Sequence, residues 1–171
     1  LPRARSRGFA IGYIIFALAM IGVLSMAASG TAGQHQRFRT IEDNTEQLAG
    51  QIQQIRNALN ICVTVYPLGD NGTGHHPKYP AGATATPVSG LDCPGDPNTV
   101  KNIFQAQNGG FLDPLPYGFG AWQYLNVAAG ISITITSNGD DDRNIALSRV
   151  ASRFANASVS GNTLTVVILQ G

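Results

Sequence analysis

No Asp, Glu, Lys or Arg occurs between Arg7 and Arg37, and from Phe9 to Gly30 the chain reads FAIGYIIFALAMIGVLSMAASG. Twenty-odd helical residues rising about 1.5 Å each span roughly 30 Å, the thickness of a bilayer core. A helix apolar all round must be buried in lipid or in protein. The segment therefore predicts that the chain meets a membrane. Arg3, Arg5 and Arg7 precede it with no acidic residue among them. By the positive-inside rule that end stays cytoplasmic and the rest is exported.

Three fates compete for the segment. It can be a cleavable signal peptide, for which Ser25-Met26-Ala27 offers a small-x-small site. It can be a plain signal anchor, or the upper half of a longer helix that continues into water. The residues beyond Gly30 favour the last. Gln34 to Cys62 contains no proline, and Phe38, Ile41, Thr45, Leu48, Ile52, Ile55, Leu59 and Cys62 follow one another at spacings of 3, 4, 3, 4, 3, 4 and 3. That spacing places them on one helical stripe. The stripe is too short for a coiled coil, is interrupted by Thr45 and Gly50, and lacks a flanking charge ladder. Its second half is expected to pack on the core of its own domain. Gly30 and Gly33 weaken the helix locally, by about 1 kcal/mol each relative to alanine. If helix persists through them, Phe9 to Cys62 forms a rod of about 80 Å.

The 171 residues leave room for one modest soluble domain after the apolar segment. Charged residues are 12% of the chain and the formal net charge is +1, so nucleic acid is not an expected partner. Past Tyr66 the stretch PLGDNGTGHHPKYPAGATATPVSGLDCPGDPN is dense in Pro and Gly and reads as a long loop. Loops of that length are uncommon unless functional or tied down. The only two cysteines, Cys62 and Cys93, bracket it, and in an exported chain a disulfide between them is the expected tie. The alternative is a buried free thiol at Cys62.

Thr99 to Gln107 reads as a short helix or strand. Trp122 to Ala128 reads as a strand, and Ile131 to Thr136 alternates apolar and polar residues without a fault. Leu147, Val150, Ala151 and Phe154 mark a short amphipathic helix. Thr163 to Gln170 gives a last strand, with Leu164, Val166 and Ile168 on one face. Such a strand needs a sheet to enter. The expected class is α+β: a long N-terminal helix, apolar then amphipathic, packed on a small antiparallel sheet. Its parts are a basic segment at 1–8, an apolar helix at 9–33, the amphipathic continuation at 34–66, the bracketed loop at 67–98 and a β-rich head at 99–171.

This order resembles the type IV pilin and pseudopilin superfamily. The motif-level likeness lies at RARSRG followed by FAIGYIIFALAMIGVL, which is similar to a prepilin peptidase site with cleavage between Gly8 and Phe9. The resemblance implies a structural subunit. No nucleophile elbow, phosphate loop, zinc spacing or paired catalytic carboxylates appear in the sequence, so neither catalysis nor a cofactor is expected. The resemblance also implies a homopolymer drawn from an inner-membrane pool by pilus or secretion machinery into an extracellular filament or a periplasmic pseudopilus. The filament-core helix would then include Phe9, Gly12, Tyr13, Ile15, Phe16 and Gly22. The small residues Gly12, Ala17, Ala19, Gly22 and Ser25 permit close helix approach in lipid or in a bundle. One departure stands out. Most family members place Glu at the fifth residue of the mature chain, where this one has Tyr13. Tyr13 then hydrogen-bonds in its place, or the leader is retained, or the subunit is tip-like. The competing function is a membrane-anchored periplasmic accessory or binding protein that never polymerises.

The remaining polar clusters carry little chemistry. Adjacent side chains such as His75 and His76 point apart in extended backbone, which disfavours a metal site and leaves two solvated loop histidines. Asp140, Asp141 and Asp142 could offer oxygens to Ca²⁺, but their spacing is not that of an EF-hand. A helix cap is the stronger reading. Asn71-Gly-Thr73 and Asn156-Ala-Ser158 match the N-glycosylation sequon. Phe111, Tyr117, Phe119 and Trp122 are expected in core packing or subunit contacts.

Overall fold

The computed structural model describes residues 7–70, 72–95, 103–104 and 112–171; in the first helix it describes the side chains of 13–21 and from 33 onward. Helix α1 runs Arg7–Val65. Ser29 to Gly33 are helical, so the two glycines do not end it. Strand β1 is Gly82–Pro87, followed by a 3-10 turn at Val88–Gly90. Then come β2 at Gln123–Val127, β3 at Gly130–Thr136, α2 at Asp141–Arg153, β4 at Ala157–Ser160 and β5 at Thr163–Gln170. The protein is α+β, with a five-stranded antiparallel sheet in the order β1-β2-β3-β5-β4.

The three expected strands are present within a residue or two, and the second helix is present but begins at Asp141, ahead of the apolar positions that marked it. Two strands go beyond the sequence reading. The bracketed loop contains β1, and β4 precedes the terminal strand, which pairs with β3 on one side and β4 on the other. The segment expected at Thr99 to Gln107 lies mostly outside the described residues, as do the leader at 1–6, Asn71 and Phe111.

Two compact units divide the chain, Leu1–Thr40 and Ile41–Gly171. In the second, alternation decides which sheet face is inside. Ile131, Ile133 and Ile135 are buried, as are Leu164 and Val166 opposite them, while Ser132 and Thr134 on the other face are half-buried. Onto this face α1 lays Leu48, Ile52, Ile55, Leu59 and Cys62, and α2 adds Leu147 and Val150. Each such side chain contributes about 1.5 to 3 kcal/mol of burial. The stripe is therefore core from Ile41 onward, and Phe38 is 60% exposed.

Two glycines shape the sheet. At Gly161, φ of +59° lets Gly161-Asn162 close the two-residue β4–β5 hairpin, a geometry that favours Gly and Asn. At Gly130, φ is +142° and an added Cβ would sit 2.5 Å from the Leu169 carbonyl oxygen, so the β3–β5 pairing excludes any larger residue.

Candidate functional site

The N-terminal helical segment is a surface of large apolar side chains. Tyr13 is 71% exposed, and Ile15 and Phe16 are each 63% exposed. The side chains of Gly8, Phe9, Gly12 and Gly22 lie outside the described residues. Among the described residues no helix is long and apolar enough to cross a membrane.

In the head, Cys62 and Cys93 form a disulfide with Cα atoms 5.3 Å apart, both buried. It ties the end of α1 to the segment after β1. The loop between them is latched to β2 by side chains that periodicity did not identify. Asn126 is fully buried on the core face of β2. Its Oδ1 accepts from the His76 N–H at 2.9 Å, and its Nδ2 donates to the carbonyls of His76 and Pro80 at 3.1 and 3.0 Å. The Tyr124 hydroxyl also donates to the Pro80 carbonyl, at 3.1 Å. Burial first, then the neighbouring Tyr79, pushes the Tyr124 phenol well above its ordinary range, against a smaller opposing hydrogen bond with Asn126. A polar residue at the inward position of Trp122-x-Tyr124-x-Asn126 was the available signal.

The histidines are not solvated as expected. His75 Nε2 lies 3.0 Å from both carboxylate oxygens of Asp70, and His76 Nε2 is buried with no hydrogen-bond partner among the described residues. The reason is the Asn126 latch, which pulls this loop against the sheet. The Asn126 hydrogen bonds hold the loop on the sheet. Among the described residues no group of three or more metal-ligating side chains converges.

A second latch comes from α1. Gln51 is fully buried; its Oε1 accepts from Trp122 Nε1 at 2.8 Å and its Nε2 donates to the Asp113 and Pro114 carbonyls. Gln47 donates to the Pro114 carbonyl at 2.6 Å, and Gln54 to Asp113 Oδ2 at 2.6 Å. The three glutamines sit at i, i+4 and i+7, so one face meets one segment. Trp122 is in the core, Phe119 packs beside it, and Tyr117 is 88% exposed.

The aspartate turn starts α2. Asp140 Oδ1 accepts from the Asp142 N–H as the N-cap, and Oδ2 pairs with Arg143 at 3.2 Å. Asp141 and Asp142 lie in the first turn, where negative charge is favourable. Arg143 Nε donates to the Tyr117 carbonyl at 2.8 Å. On the far end of α2, Arg149 and Arg153 pair with Glu42, and Arg153 with Glu46.

No family model, curated protein or solved structure matches this chain.

Proposed function

We propose that the chain is a structural subunit of a type IV pilus-like filament, polymerising through the first part of α1. The observation that carries this reading is the apolar helical surface from Tyr13 to Ile21, where each large side chain, from Tyr13 at 71% to Met20 at 51%, is more than half exposed. At about 25 cal/mol per Å2, covering such a surface is a strong drive for association. The residue pattern that resembles a prepilin peptidase site precedes it, and a disulfide-tied head with its own core follows. The inner membrane is the proposed store before assembly and the cell exterior or periplasm the destination.

Electron microscopy of sheared surface material tests the proposal directly. Filaments containing the chain are expected, and Ile15→Asp or Gly12→Glu should abolish them. A chain found only as monomer, or filaments that form normally with Ile15→Asp, would refute it and favour the anchored accessory protein. Intact mass separates cleavage after Gly8, cleavage after Ala27 and an uncut chain.

A further inference from the structure

The sequon at Asn156-Ala157-Ser158 lies outside the helical segment proposed to polymerise, and its setting is unlike that of the other described asparagines of the head. Asn126, Asn138, Asn144 and Asn162 all use their side chains to hold turns or strands. Asn156 is exposed on the turn between α2 and β4. Its backbone carbonyl accepts from the Val167 N–H at 2.8 Å, while its side-chain amide has no hydrogen bond among the described residues. Ser158 is exposed as well, two residues along β4.

The strand that follows supplies a second, independent observation. β4 is an edge of the sheet and pairs with β5 alone. Its sequence ASVS has no charge, no proline and no bulge, so its shortness, four residues, is what limits pairing with another chain at this edge. The opposite edge, β1, has both Pro87 and a register break. A bulky hydrophilic group on Asn156, the residue just before β4, would add to the protection of the β4 edge.

We infer that Asn156 is an acceptor for an N-linked glycan. The donor class is a polyprenol-linked oligosaccharide: Asn156 Nδ2 forms a bond to C1 of the first sugar and gives up one proton. The C1–O bond to the lipid phosphate breaks, and the phosphate leaves with the electron pair. The inference rests on the proposed export, since such transfer occurs outside the cytoplasm.

No Lys or Arg follows Arg153, so trypsin releases the site on one peptide beginning at Phe154. Mass spectrometry of that peptide, from the full chain isolated from its source cells, should show a series of sugar increments. Asn156→Gln and Ser158→Ala should each remove the increments, and Ser158→Thr should keep them. Cell fractionation of the same sample separates the two ways to fail. An unmodified peptide from chain located outside the cytoplasm overturns the glycan and leaves the filament reading intact. An unmodified peptide from cytoplasmic chain overturns both. Sugar that persists in Asn156→Gln places the modification elsewhere and also overturns the inference.

Discussion

Tyr124 and Gln51 show how single polar residues decide the interior of the head. The Tyr124 phenol is fully buried, and burial raises its pKa above the ordinary value of 10.0. An unfolded chain ionises this group near pH ~10 while the folded one keeps it neutral. Its contribution is therefore complete below that pH and lost as pH rises through the folded value. Denaturation midpoints measured from about pH 9 to 11.5 should fall steeply for the native chain and less steeply for Tyr124→Phe. The phenylalanine variant should lose about 1 kcal/mol at neutral pH with its hydrogen bond. Gln51→Leu keeps the volume but orphans Trp122 Nε1 and the Asp113 carbonyl. A cost of about 1 to 3 kcal/mol is expected, with a shift in the fluorescence of the single tryptophan. An unchanged urea midpoint would remove Gln51 as a latch.

At the scale of elements, α1 contains a glycine that its own fold does not require. Gly50 is exposed within the helix, and a Cβ added there meets nothing within 4 Å. Gly50→Ala should stabilise the head by about 0.4 to 1 kcal/mol, read as a higher thermal midpoint. The disulfide joins the same helix to the segment after β1 across 31 residues. Replacing both cysteines by serine should cost about 3 to 4 kcal/mol in the chain-entropy picture, visible as a lower urea midpoint with a steeper slope, because the unfolded chain without the cross-link exposes more surface. The Glu42 and Glu46 pairs with α2 are 38–62% exposed on their side chains and contribute under about 1 kcal/mol each.

For the whole molecule, every residue of the buried cluster lies in the unit Ile41–Gly171. A fragment starting near residue 34 should therefore fold cooperatively, with the native disulfide and sheet content by circular dichroism. In the full chain, Ile15→Asp should leave that signal unchanged while filaments disappear. Loss of the head fold in the fragment would mean that the first part of α1 is needed for folding as well as assembly.

The sequence by itself determined the α1 stripe from Ile41, the alternation of β3 and β5, the amphipathic α2 and the cysteine pair. Each is a local record, because an element with one buried face must repeat at its own period. The tertiary structure decided the rest. β1 and β4 read GATATP and ASVS, small or polar and without a clear apolar period, and are strands because neighbours pair with them. Asn126 and Gln51 are buried because their partners arrive from far along the chain. Gln51 and Trp122 stand 71 residues apart, a relation that local periodicity cannot register.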